Sequence, residues 1–230
     1  SVAQQVYYQT TSLTSPMLNA TTSDYVTFTD TNSDATILGN NILYTTGGVV
    51  ENVNAPATHI MDLFDNRLWM VDDEDPNLLW YSKQLIESVP VEMSDLLTVF
   101  IPPSTSTNVS TGPMTALSPM DDKQVIFKAN AIFYINGSGP DNTGNNSQYS
   151  QAVYVTSTVG CTNQNSIALM PSGLMFQSDK GIWLLDRGLN TSYIGAPVED
   201  LVNGATVLSA VNVPETNQVR FTLSTGITLM

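Results

Sequence analysis

The sequence predicts an all-β fold: a β-propeller-like, partial or incomplete ring of about fifty-residue blades, with few short helices. Three observations predict it. Helical periodicity is nearly absent from the 230 residues. Apolar runs come in pairs joined by tight polar turns. Those pairs return at near-regular intervals: 57 residues from Leu68 to Val125, 49 from Val125 to Leu174 and 45 from Leu174 to Val219.

The first pair is RLWMV and LLWYS, flanking the acidic run Asp72–Asp73–Glu74–Asp75. The second is QVIFKANAIFYING from Gln124, the third GLMFQSDKGIWLLDRG from Gly173, and the fourth QVRFTLSTGITLM from Gln218. Their turns carry Asn, Asp or Gly, which tolerate the positive φ of short hairpin connections. An apolar lead-in precedes each pair: THIMDLF at Thr58, PMTALSPM at Pro113, SIALMPS at Ser166 and TVLSAVNVP at Thr206. The lead-in reads as the innermost strand of a blade, and the hairpin as the strands that follow it. Ahead of these units, DYVTFTD and TILGNNILY read as further strands. Three short segments read as helices: Ser82–Ser88, Ser94–Phe100 and Ala196–Asn203, the last with Pro197 in its first turn. Residues 1–57 are thus a β-rich amino-terminal segment with no assigned role, and residues 58–230 carry the blades. The last hairpin has no fourth strand after it, so the pattern reads as a fragment of a longer chain.

Composition narrows the function. Charged residues make up 12% of the chain, about half the usual share. Seven basic residues stand against twenty-one acidic ones, giving a net charge of −14. Such a surface repels nucleic acid, so sequence-specific DNA or RNA binding is not expected. Cys161 and His59 are each alone, which rules out a disulfide framework and His-clustered metal sites. No apolar run approaches the length of a membrane span.

Several motifs in order resemble a known family. LFDNRLWMV with LLWYSK, ALSPMDDKQVIFKANAIFYINGSGP, GCTNQNSIALMPSGLMFQSDKGIWLLDRGL and YIGAPVED are similar to virion structural proteins of short-tailed phages. These are of the tail-tube or nozzle type, which carry a β-propeller. The likeness runs from about Thr58 to Thr225. It implies a non-enzymatic ring subunit of the tail channel. Its expected partners are sister copies and neighbouring tail proteins, with DNA passing through unbound, and its expected location is the virion. The resemblance supplies no catalytic residues and no cofactor.

The residues themselves leave other readings open. Asp72, Asp73, Glu74 and Asp75 are a candidate Ca²⁺ site, since that ion takes six or more oxygens. Against it, consecutive carboxylates on an extended chain point to alternate sides, and Pro76 follows where a ligand loop wants Gly. A hydrated hairpin tip is the simpler reading. Paired carboxylates also raise a glycoside hydrolase, although nothing marks which acid would be buried with a raised pKa. His59 lies in a lead-in whose alternation places it beside buried apolar positions, as a hydrogen-bonded structural histidine. Cys161 has no basic neighbour to lower its pKa and reads as a buried inert thiol. The Gly-, Asn- and Ser-rich loop from Gly137 to Ser150 is long enough to bind a host surface glycan or a neighbouring subunit. Trp69, Trp80 and Trp183 read as packing between blades.

Overall fold

The structure, a computed structural model, describes residues 7, 8, 10, 11, 22, 25–37, 40, 42, 43, 50–106 and 108–230. The chain divides into two units, residues 1–49 and 50–230. In the first, β1 (Tyr7–Tyr8) pairs antiparallel with β2 (Ile42–Leu43), and α1 (Asp34–Ile37) is a single helical turn. The strand expected at DYVTFTD does not form over Tyr25–Asp30. The one expected at TILGNNILY is split, because Thr36 and Ile37 belong to α1, and among the described residues of this stretch Ile42–Leu43 form the strand. Ser33 accounts for this: its carbonyl accepts from Thr36 N and Ile37 N, which commits those amides to a turn.

The second unit is a run of antiparallel meanders. Sheet I is β3 (Met61–Phe64), β4 (Arg67–Val71), β5 (Leu78–Tyr81) and β6 (Thr98–Phe100). Sheet II is β7 (Met114–Met120), β8 (Lys123–Lys128), β9 (Ile132–Asn136) and β10 (Val153–Thr156). Sheet III is β11 (Ala168–Met170), β12 (Gly173–Ser178), β13 (Gly181–Asp186) and β14 (Thr191–Tyr193). Sheet IV is β15 (Val207–Val213), β16 (Gln218–Leu223) and β17 (Thr228–Leu229). Every strand pairs with its sequence neighbour, as expected from the paired ribbons.

The turns show why. Asp65 and Asn66 both take positive φ, 49° and 53°, the two-residue geometry whose twist matches the flanking strands of the β3–β4 hairpin. Asp121 does the same between β7 and β8, at φ 58°.

Three hydrophobic cores lie between consecutive sheets. Trp69, Val71, Leu79 and Tyr81 of sheet I meet Leu117, Ile126, Phe133 and Ile135 of sheet II. The alternate residues of sheet II, Ala116, Val125, Phe127 and Ile132, meet Leu174, Phe176 and Leu185 of sheet III. Ala168 and Ile182 of sheet III then meet Val207, Val219, Phe221 and Leu223 of sheet IV. Sheet II is therefore buried on both faces, which is why VIF and IFYI read as continuous apolar runs and not as alternation. The first strands also adjoin: β3 packs on β7, and β11 on β15.

Two of the three expected helices are absent. Over Ser82–Ser88 the amides bond to distant chain: Ser82 N to Leu68 O, Lys83 N to Glu92 O and Leu85 N to Asn66 O, each at 2.8–2.9 Å. The carbonyls that a first turn would use are also taken, Ser82 O by Arg67 Nη1 and Lys83 O by Ser82 Oγ, and Ser88 leaves the helical region at φ 64°. Over Ser94–Phe100 a turn closes through Leu97 N to Ser94 O, and the rest becomes β6. The third does form, as a 3₁₀ turn at Ala196–Val198 running into α2 (Glu199–Val202).

Candidate functional site

The acidic run forms the β4–β5 connection, and its carboxylates are spent on the chain itself. Asp72 Oδ1 accepts from Glu74 N at 2.8 Å and Asp75 N at 3.4 Å, while its Oδ2 accepts from Trp80 Nε1 at 3.0 Å. Asp75 Oδ1 accepts from Asn77 N at 3.0 Å. Asp73 Oδ1 meets His59 Nδ1 at 2.5 Å. Glu74 is exposed. Thus two of the four acids fold the turn, one pairs with the histidine and one faces solvent. Among the described residues no three His, Cys, Asp or Glu side chains gather as a metal-binding group. The Ca²⁺ candidate Asp72, Asp73, Glu74 and Asp75 does not converge on one point.

His59 is hydrogen-bonded, as its position suggests, but it is not buried: its side chain is 75% exposed. Regular pairing starts only at Met61, and the buried member of the lead-in is Ile60. His59 and the acids Asp72 and Asp73 line an open cleft of about 670 Å³. Its other walls are Pro113–Thr115, where β7 begins, and Thr162–Asn165, ahead of β11. The cleft therefore marks where the entries to three consecutive first strands converge.

Gln164 holds this convergence. Its Nε2 donates to Leu117 O at 2.9 Å and its Oε1 accepts from Leu117 N at 2.7 Å, so the side chain stands in for a strand beside β7. Gln177 does the same one sheet later, with Nε2 to Ala205 O at 2.6 Å and Val207 N to Oε1 at 2.7 Å. Sequence reasoning did not single out either glutamine. The only available signal was an amide inside an otherwise apolar strand, GLMFQ.

Three of the seven basic residues are buried, whereas Lys180, Arg187 and Arg220 are exposed. Arg67 is fully buried, donating through Nη1 to Ser82 O at 2.8 Å and through Nη2 to Pro140 O. Lys128 is fully buried, with Nζ 2.7 Å from Asn77 Oδ1 and 3.0 Å from Pro102 O. Burial pushes its pKa down to about 8, and the charge of Asp75 opposes that shift. Lys83, also buried, reaches Asn52 Oδ1 at 2.6 Å and Glu92 at 3.3 Å. Lys123 pairs with Asp122, Arg187 with Asp121, and Lys180 with Thr158 O. No Asp or Glu is among the buried residues of the described chain.

The Gly137–Ser150 loop is strapped down. Asp65 Oδ2 accepts from Gly139 N at 3.1 Å and from Tyr149 Oη at 2.7 Å, and Arg67 holds Pro140. Within it, Asp141 Oδ1 accepts from Thr143 N and Asn145 N, and Oδ2 accepts from Asn146 Nδ2. Its carboxylate is thus engaged within the loop, while Asn142 Oδ1 accepts from Gln84 N outside it. Cys161 is buried, with its thiol near Ser166 Oγ and Asn163 O, and burial pushes its pKa up to about 11. Trp69 is fully buried, whereas Trp80 and Trp183 are half-buried.

No family model matches this chain, and no curated protein matches it in sequence.

Proposed function

We propose that residues 50–230 form successive blades of a β-propeller and that the protein is a structural subunit of a short-tailed phage tail. In this reading it belongs to a ring of the tube or nozzle type that DNA crosses during ejection, and it carries out no catalysis. One observation carries the scaffold reading. Each sheet shares a hydrophobic core with the next, the first strands adjoin between sheets I and II and between sheets III and IV, and the entries to the first three converge on one cleft. That is the relation expected of blades arranged radially about an axis. The polar groups of the cleft support it too, because Gln164, Asp72 and Thr162 each bond to backbone and so serve the joints between strands.

The charge distribution favours a DNA path. Binding DNA needs exposed Lys and Arg to displace counterions. Here Arg67, Lys83 and Lys128 are buried, which leaves Lys180, Arg187 and Arg220 as the exposed cations of the described residues, while no Asp or Glu among them is fully buried. A phosphate chain near such a surface meets repulsion and slides. The phage assignment itself rests on the resemblance of the ribbon motifs.

Mass measurement and electron microscopy of the full-length protein test the assignment. A ring with a central opening is the expected result, and a monomer at micromolar concentration overturns it. Filter binding of the assembled ring to duplex DNA at low salt tests the path. Asp73→Asn with Glu74→Gln neutralises the two acids that do not hold the turn. Higher DNA retention is expected, and unchanged retention removes this turn from the channel.

A further inference from the structure

We propose that the cleft between the exit of β6 and the outer strand of sheet II is a binding subsite for a neutral saccharide ring. This goes beyond the scaffold reading and does not depend on it. The cleft has a volume of about 350 Å³ and is lined by Pro102, Ser104, Thr105, Ser106, Phe133 and Tyr154, together with Ala152. That volume is at the lower end for small-molecule sites.

Charge selects the ligand class. Three other clefts of the described residues carry carboxylates: Asp179 and Glu199, with Lys180, in one, Asp72 and Asp73 in the second, and Asp65, Asp121 and Asp122 in the third. Cations are drawn to those. Anions are disfavoured everywhere by a net charge of −14. The lining of this cleft holds no acid and no base, so it suits a neutral molecule.

Polarity narrows the class further. Tyr154 is 47% exposed, so half of a large ring faces water at the outer edge of a sheet. Cross-strand pairing with Phe133 holds it, the two rings standing 5.7 Å apart at 73°. Its hydroxyl donates to Ser157 Oγ at 2.7 Å, which locks the ring from the other end. A ring already fixed loses little entropy when a ligand stacks on it. Beside it, Ser104 and Ser106 present hydroxyls that make no hydrogen bond among the described residues, whereas Thr105 Oγ1 accepts from Val109 N. A purely apolar occupant would strip water from those hydroxyls and give nothing back. A sugar ring satisfies both sides, with its C–H face on Tyr154 and Pro102 and its hydroxyls toward Ser104 and Ser106.

Saturation-transfer NMR on the 230-residue chain, with millimolar methyl glycosides of glucose, galactose, mannose and N-acetylglucosamine, tests this directly. Transfer to the ring C–H protons of at least one glycoside is expected. Tyr154→Ala should weaken binding roughly tenfold, from loss of the stacking partner, and Tyr154→Phe should retain it. Ser104→Ala with Ser106→Ala should weaken binding severalfold without touching the core. This surface pair decides the matter if Tyr154→Ala does not fold. The proposal is overturned by absence of transfer from all four glycosides to the unmodified chain. It is equally overturned if transfer is undiminished in a folded Tyr154→Ala or in the serine pair.

Discussion

Replacing Gln177 asks whether sheet III is joined to sheet IV as strongly through polar groups as through the core. Its side-chain amide bonds both Ala205 O and Val207 N, 28 and 30 residues away, and all three residues are buried. Gln177→Ala removes the partner of one donor and one acceptor at the edge of a cleft that Gln177 and Ala205 line. Each such loss costs about 1–3 kcal/mol, so the sum is about 2–6 kcal/mol. Against a typical domain stability of about 5–15 kcal/mol, this is a large fraction.

Gln177→Glu sharpens the experiment. The carboxyl keeps an acceptor for Val207 N, but when ionised it sets a negative oxygen against Ala205 O. Protonated, it can donate to that carbonyl as the amide does. Burial and the facing carbonyl therefore raise its folded-state pKa above the unfolded value of about 4.3. Between those two values the native state binds more protons than the unfolded state, so stability falls as pH rises, by about 1.4 kcal/mol per unit. Urea unfolding at several pH values from 4.5 to 7.5, each referred to the unmodified protein, reads this out. The reasoning is refuted if Gln177→Ala costs less than about 0.5 kcal/mol, the range of neutral surface changes. It is also refuted if the Gln177→Glu deficit does not shrink toward acid.

Two further outcomes follow from buried groups. Lys128 has a folded pKa of about 8, below its ordinary value of 10.5, so above pH 8 the unfolded chain holds the proton more tightly. Its contribution to stability should rise with pH from about 8 toward 10, and urea melts of Lys128→Met should lack that rise. Phe127 is fully buried and stacks on Phe176 at 4.9 Å across the sheet II–sheet III interface. Phe127→Ala should cost about 3–5 kcal/mol through the cavity it leaves, measured by chemical denaturation.

How much of this was legible in the sequence differs by feature. The hairpins were, because a strand pair is local: KAN, QSDKG and TLSTG supply the turns, and apolar runs on either side supply the strands. The misread helix at Ser82–Ser88 shows the limit. Its composition suits a helix, but Arg67 claims the carbonyl of Ser82, Ser82 Oγ claims that of Lys83, and Ser88 takes φ 64°. The acidic run was placed correctly in a turn, while its division of labour was not visible. Nothing local says that Asp72 accepts from Trp80 while Asp73 turns to His59, 14 residues back.

The amino-acid order by itself determined the β-rich architecture, the paired ribbons and their return at near-regular intervals, because turn chemistry and apolar runs act over a few neighbouring residues. Only the tertiary structure decided which polar groups became internal. Lys128 reads as a turn lysine in FKAN and Arg67 as a hairpin arginine. Yet their partners, Asn77 and Pro140, lie 51 and 73 residues away. A buried charge is tolerated only where distant chain brings it oxygen atoms, and that meeting exists only once the sheets have packed.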